Sequence, residues 1–291
     1  MQTILLTGVN GQVGFELKRS LQGLGVVHAP DRAALDLGNP AAIRDLVRAL
    51  RPTLIVNPAA YTAVDKAESE PELAHAINAT APAVLAEEAK RLGCPLLHYS
   101  TDYVYSGEGD TAWREDAPVA PPNVYGASKL AGEEAIRASG CQHLILRTSW
   151  VYGARGKNFL LTMLKLGRER EALNIVADQI GAPTWCRSIA DLSSHIIASR
   201  PDWQAVSGTY HLVNSGETSW HGFAEAIFAL AAARGDKTPG TLGAIATEAY
   251  PTPAKRPKNS RLNLDKLRDT FGLVPPSWQD ALAMCFEDVR A

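Results

Sequence analysis

The chain has 291 residues, 46% hydrophobic and 21% charged, which is enough apolar material for a sizeable buried core. Its 29 basic and 31 acidic residues leave a formal net charge of −2, so it carries no electrostatic footprint for nucleic acid or a membrane surface. No apolar run reaches membrane-spanning length. The four cysteines, Cys94, Cys141, Cys186 and Cys285, are scattered without CxxC spacing, and the expectation is buried free thiols in a reducing cytoplasm.

Residues 3–7 (TILLT) read as a short apolar strand, and the N-terminus lacks the basic region and cleavage site of a secretory leader. Gly8, Gly11 and Gly14 follow at three-residue spacing, and residues 15–21 read as a helix. A glycine turn between a strand and a helix lets a pyrophosphate approach the backbone and meet the helix N-terminus. Gly8, Asn10, Gly11, Gln12 and Val13 are therefore candidate dinucleotide contacts. Residues 24–28 read as a second strand. Beyond it, Asp31 suits the ribose of NAD and Arg32 the 2′-phosphate of NADP, which leaves NADPH or NADH open. Asp36 and Leu37 are placed to flank the adenine.

A helix over 40–50 and a buried strand over 52–57 come next. That strand ends in Pro58, Ala59 and Ala60, small residues against which a cofactor can lie. A long helix over 74–91 and a strand over 96–100 follow. The hydroxyl of Thr101, at the strand's carboxyl end, can bond a substrate carbonyl; a plain strand-end cap looks the same. A loop over 106–122, rich in Gly, Pro and acids, leads to Asn123, an expected helix cap. Tyr125 and Lys129 then lie one turn apart on one face of a helix. An ammonium near a phenol favours the phenolate and poises it for proton transfer near neutral pH. A packed tyrosine beside a solvated lysine has the same spacing.

A strand over 144–150 completes an alternation that predicts an α/β fold, a Rossmann-type doubly wound parallel sheet. After Tyr152 the pattern loosens. Helices are expected over 157–171, 188–199, 219–234, 264–269 and 277–289, with a strand near 208–213. A polar loop spans 178–184 and an extended basic loop 250–262. The expected organisation is a dinucleotide-binding domain over 1–152, to which later segments return, and a smaller C-terminal α/β substrate lobe over 153–291. Arg256 in the basic loop suits a diphosphate, with a solvated loop as the plain alternative.

Taken in order, Gly8-x-x-Gly11-x-x-Gly14, Thr101, Tyr125 and Lys129 resemble the extended short-chain dehydrogenase/reductase family along the whole chain. Stretches in register at 11–14, 63–68, 100–104, 123–126, 147–152, 178–184 and 256–260 narrow the resemblance to the dTDP-4-dehydrorhamnose reductases. That resemblance implies a reaction: NADPH or NADH delivers hydride to the C4 ketone of dTDP-4-dehydro-6-deoxy-L-mannose, giving dTDP-L-rhamnose. It implies Tyr125 as proton donor, Lys129 as the group that holds the nicotinamide ribose and keeps the phenol's pKa low, and Thr101 as the orienter of the carbonyl. It places Tyr61, Thr62 and Tyr99 at the cofactor. It places Val64, Tyr103, Trp150, Asn158 and Arg256 at the dTDP-sugar.

Some members of these reductases bind magnesium through carboxylates and dimerise around it. Glu16 matches one such position, but Trp185-Cys186-Arg187 stands where a glutamate is expected, and arginine cannot ligate Mg²⁺. The expectation is no metal, no magnesium-bridged dimer, a monomer or weak homodimer, and Glu16 on a helix surface. Two alternatives stay open. One is another nucleotide-sugar 4-epimerase or ketoreductase of the same fold, which shares the Tyr and Lys. The other is a non-catalytic NADP-binding subunit like that regulating methionine adenosyltransferase. A 4,6-dehydratase fits poorly, because Tyr103 follows Asp102 where a glutamate base is needed.

Overall fold

Six short strands pair, all in parallel, into one central sheet. Across the sheet they run β2 (Val26–His28), β1 (Thr3–Leu6), β3 (Leu54–Asn57), β4 (Leu96–Thr101), β5 (His143–Thr148) and an edge strand, Gly208–His211. The computed structural model describes residues 2–289. Strand side chains alternate between faces with period two. Ile4, Leu6, Leu54, Val56, Leu97, Leu144 and Leu146 pack toward α1 (Gln12–Ser20) and the helix Cys186–Ala198. Leu5, Ile55, Leu96 and Ile145 pack toward α2 (Pro40–Leu50) and the helices Ala81–Leu92 and Val124–Ser139. Both faces are covered, which is why these strands read as unbroken apolar runs.

Strand order reverses at β1. The chain leaves it for β2 on one side and returns to β3 on the other, so a crevice opens at the carboxyl ends of β1 and β3. Doubly wound sheets bind ligands at such a switch point. The two strand ends touch there. Gly8 has φ +59°, and a Cβ on it would lie 2.8 Å from the Ala59 backbone, so only glycine fits.

A second apolar cluster joins Tyr152 to the helices Phe159–Glu169, Trp220–Ala233 and Trp278–Asp288. Beside it Ala172–Val176 and Thr241–Ile245 form a parallel pair. The sequence reading assigned neither strand, because their partnership joins segments far apart in the chain and no local pattern reports it. The polar loop over 178–184 is not free. Its strand Ile180–Gly181 lies between Thr218–Ser219 and Asn259–Ser260, which fastens the basic loop to the body.

Two expectations need correction. The long helix over 74–91 is a succession: Pro71–His75, a π-helical turn Ala76–Thr80, then Ala81–Leu92. Glu16 is not on the surface. It is 5% exposed and accepts from Arg187 Nε at 3.0 Å and Arg19 Nε at 3.2 Å. The guanidinium that replaces the expected carboxylate thus neutralises Glu16 within the chain. All four cysteines are buried and unpaired. Among the described residues no helix is long and apolar enough to cross a membrane.

A buried ion pair fixes the helix Val124–Ser139 to the sheet. Arg147 on β5 donates to Glu133 twice, Nε to Oε1 at 2.9 Å and Nη2 to Oε2 at 2.6 Å. Its Nη1 donates to the Tyr105 hydroxyl at 2.6 Å, which lies 2.7 Å from His211 Nε2 on the edge strand. Removing one partner strands a charge in the core. Arg147→Met should therefore cost about 3–5 kcal/mol in urea unfolding, and adding Glu133→Leu should recover much of that loss.

Candidate active site

The Tyr125 helix starts where the sequence places it. Asn123 caps it, its Oδ1 accepting from Gly126 N–H at 2.8 Å, and its Nδ2 donates to the Lys255 carbonyl at 2.9 Å. The helix then sits directly on the turn that follows β4. A Cβ at Gly126 would lie 2.2 Å from the Tyr103 carbonyl oxygen. This approach brings Tyr125 to the end of β4. The Tyr103 and Tyr125 rings meet edge to face at 5.6 Å, and Thr101 lies near the Tyr125 phenol.

The phenol is not poised as a phenolate. Burial drives its pKa up, the Thr101 hydroxyl opposes this, and Asp102 adds to the rise. Lys129 does not offset the effect, because its ammonium is engaged elsewhere. It is 1% exposed, donates to the Tyr99 carbonyl at 2.6 Å and lies 3.2 Å from His98 Nε2. Burial lowers the Lys129 pKa to about 8, with Glu133 opposing. Tyr125 is thus held as a protonated acid, and Lys129 as a fixed, buried amine.

Sequence reasoning missed Asn78. It lies fully buried in the π-helical turn. Its amide accepts from Tyr61 N–H at 2.8 Å and donates to the Tyr61 carbonyl and to Ser128 Oγ, each at 3.0 Å. It therefore clamps the loop after β3 to the Tyr125 helix. Its carbonyl oxygen approaches that helix at Gly132, where a Cβ would lie 2.1 Å away. A signal was present: Pro82, four residues on, has no N–H to return to that carbonyl.

The predicted cofactor residues lie around the crevice, with differences. Gly11 N–H donates to the Gly8 carbonyl at 2.9 Å, and no side chain caps α1, so its first N–H groups are free for an anion. Asn10 and Gly11 are exposed there. Gln12 accepts from Asn158 at 2.9 Å, and Val13 packs between two apolar clusters. Ala60 and Thr62 lie in the loop after β3, and the Tyr61 hydroxyl bonds Glu70. Asp36 is exposed and accepts from Gly38 N–H at 2.9 Å, while Leu37 packs on the core. Tyr99 differs from expectation. Its ring lies on the opposite face of the sheet from the Tyr125 helix and its hydroxyl donates to Ser193 at 2.7 Å; only its carbonyl reaches Lys129.

On the other side of Tyr125 the basic loop closes in. Arg256 Nη2 donates to Asp65 Oδ2 at 2.6 Å, and the guanidinium lies near the Tyr103 hydroxyl, whose pKa its charge lowers against the rise from burial. Val64 begins the short helix Val64–Ala67 that carries Asp65. Trp150 holds φ +48°, rare for a bulky residue. Its ring stacks on Trp220 at 3.7 Å and also covers Gly181. Trp220 is steadied by Gln179 through a 3.1 Å hydrogen bond. Trp220 and Gln179 carried no assigned role in the sequence reading. Asn158 does not face this space: it caps the helix Phe159–Glu169, and its Nδ2 bonds Gln12, Gly153 and Arg155. Among the described residues no group of three or more His, Cys, Asp or Glu could hold a metal ion.

Asp102 is the anomaly of the site. It is 3% exposed; Oδ1 accepts from Thr101 at 3.1 Å, and Oδ2 has no partner. The Ser260 hydroxyl is near but also without a completed bond. Burial lifts the Asp102 pKa to about 6, with Ser260 and Thr101 opposing. The folded carboxyl keeps its proton to about pH 6, whereas the unfolded one loses it near pH 4. Stability therefore falls as pH rises between those values. Asp102→Asn should stabilise the chain at pH 7 by about 2–3 kcal/mol more than at pH 4, read by urea unfolding at both pH values.

Comparison with known proteins agrees with this geometry. The family described as RmlD substrate binding domain matches the chain over residues 1–291. A dTDP-4-dehydrorhamnose reductase of Burkholderia thailandensis is 48% identical over 293 residues, covering 98% of both chains. One from Escherichia coli K12 is 49% identical over 282 residues, covering 95% of this chain and 94% of the relative. The crystal structure of the Bacillus anthracis dTDP-4-dehydrorhamnose reductase in complex with NADP superposes with a TM-score of 0.91 at 36% identity, covering 99% of both chains. Matched from end to end in sequence and in fold, the chain belongs to the RmlD substrate-binding-domain family.

Proposed function

We propose that this crevice reduces a nucleotide-linked keto-sugar. The chain is an NAD(P)H-dependent oxidoreductase that converts the C4 ketone of dTDP-4-dehydro-6-deoxy-L-mannose to the alcohol of dTDP-L-rhamnose, the last step of dTDP-rhamnose biosynthesis. The observation that carries this reading is the gathering of Thr101 and Tyr125, with Lys129 one turn on along the helix, beside the switch-point crevice.

The glycine turn fits a dinucleotide. The Gly8 turn and Ala59 approach too closely for any side chain, and the α1 N-terminus is free of caps. Gly8, Asn10, Gly11, Gln12 and Val13 would hold the pyrophosphate, Asp36 and Leu37 the adenosine side. Ala60, Tyr61, Thr62 and Lys129 would meet the nicotinamide half, with Tyr99 contributing its carbonyl. Asp31 Oδ1 accepts from the N–H groups of Ala33 and Ala34, both at 3.0 Å, and Arg32 beside it is exposed and suits the 2′-phosphate of NADPH. A bound nicotinamide supplies the hydride.

The chain's own residues do the rest. Tyr125, kept protonated by burial, gives its proton to the C4 oxygen, and Thr101 orients that oxygen. Val64, Tyr103 and the Trp150–Trp220 stack flank the sugar. Arg256 has guanidinium N–H groups beyond the one on Asp65 to offer a diphosphate. In this reading residues 1–152, with the helix Cys186–Ala198 and the strand Gly208–His211 returned to them, bind the cofactor. Most of 153–291 binds the dTDP-sugar. The internal neutralisation of Glu16 by Arg187 supports a monomer or weak homodimer without a magnesium bridge.

An epimerase of the same fold would regenerate its cofactor. Mixing the protein with NADPH and the keto-sugar should oxidise one NADPH per sugar, and no net oxidation would sink the reductase reading. Tyr125→Phe should lower kcat by about 10²-fold or more and leave NADPH affinity nearly unchanged. Full turnover in that variant would show that another group donates the proton.

A further inference from the structure

A row of buried polar side chains runs beneath the crevice, and all of it but Lys129 has no role in the scheme above. Thr7 and Asn57 stand at the carboxyl ends of β1 and β3, His98 lies mid-strand on neighbouring β4, and Lys129 follows on the helix packed over them. All four are at most 1% exposed. Thr7 Oγ1 donates to Asn57 Oδ1 at 2.5 Å, Asn57 Nδ2 lies 3.0 Å from His98 Nδ1, and His98 Nε2 lies 3.2 Å from Lys129 Nζ. The row links the strand that enters the Gly8 turn to the reactive lysine. Four buried polar groups in a continuous chain are costly unless each is satisfied, so their hydrogen atoms must be mutually consistent.

Resting on the ketoreductase reading, we propose that His98 is the positioning residue for Lys129: neutral, with its proton on Nδ1, it accepts from the ammonium through Nε2. An ammonium has three N–H donors. The Tyr99 carbonyl at 2.6 Å and His98 Nε2 take two of them in fixed directions. The third is left for the crevice, where a ribose hydroxyl would lie. The 2.6 Å contact to Tyr99 is short, as for a charged donor. Were the His98 proton on Nε2 instead, it would oppose a second donor, the buried ammonium, at 3.2 Å. Asn57 sets the other end by which way its amide is turned. Its amide oxygen and nitrogen ends are distinguished by their partners. As placed, Asn57 turns Oδ1 to Thr7 and Nδ2 to His98 Nδ1; a proton on Nδ1 requires the amide turned over, its oxygen to His98 and its NH₂ group to Thr7, which leaves no donor against a donor.

The first test needs no turnover. In full-length protein labelled with ¹⁵N-histidine, free of ligand at neutral pH, long-range ¹H–¹⁵N correlation reads which ring nitrogen carries the proton. The His98 signals are those lost in His98→Gln. A proton on Nδ1 with Nε2 bare is expected; a proton on Nε2, or on both, overturns the assignment. The second test is kinetic. His98→Asn keeps a polar group toward Asn57 but cannot reach Lys129, whereas His98→Gln can place an amide oxygen where Nε2 stood. The expected loss in kcat is at least about tenfold in His98→Asn, or about 1.4 kcal/mol, with recovery to within about threefold in His98→Gln. The KM for the keto-sugar should stay within about twofold in both, because neither variant touches the sugar side. Equal loss in both variants, or no loss in either, contradicts a positioning role. If wild-type protein shows the Nδ1 signature yet oxidises no NADPH, the ketoreductase reading fails and the His98 assignment does not.

Discussion

The site depends on one close approach, that of Gly126 to the Tyr103 carbonyl. A helix can rest its backbone on the turn after β4 only where it has no side chain. That seating carries Tyr125 to Thr101 and Tyr103, and one turn on it drives Lys129 into the sheet beneath. Other features hold the helix in this seat. Asn123 caps it and reaches the basic loop, Asn78 clamps it through Ser128, and Glu133 anchors it to Arg147 on β5. The same helix therefore joins the cofactor crevice, the sheet and the loop that carries Arg256.

Burial then decides the chemistry. An ammonium beside a phenol would lower its pKa. Here Lys129 is directed to Tyr99 and His98, burial raises the Tyr125 pKa, and the phenol keeps its proton, the state a proton donor needs before a ketone is reduced. Asp102 shows the same force acting on a carboxyl group. It is buried with an unpartnered oxygen, destabilising above about pH 6, directly beside the Thr101 hydroxyl. Residues that cost stability at a site are commonly kept for function rather than for folding.

Much of this was legible in the sequence because it was written locally. The strand–glycine turn–helix at Gly8, the Asn123 cap, and the Tyr125–Lys129 spacing each depend on residues within one or two turns of each other. The parallel sheet followed from the alternation of strands and helices. What was not legible depends on partners distant in the chain. Asn158 looked available to a sugar, but its amide reaches back to Gln12. Tyr99 looked like a cofactor contact, but alternation on β4 turns its ring to the opposite face, onto Ser193. Trp220 could be given a purpose only once its stacking on Trp150 was seen. The phenol pKa differs from expectation in the same way: burial raises it, and Lys129, on the same helix, is drawn to His98 and the Tyr99 carbonyl on β4.

The central claim is that this crevice transfers hydride to C4 of a nucleotide-linked sugar while Tyr125 supplies the proton. Isotope tracing tests it most directly. The protein would be given dTDP-4-dehydro-6-deoxy-L-mannose and NADPH carrying deuterium at the transferred position of the nicotinamide, and the sugar product examined by mass spectrometry and NMR. The account predicts dTDP-L-rhamnose with one deuterium, located at C4. A product without deuterium at C4, or recovered keto-sugar with the cofactor unchanged, would contradict it.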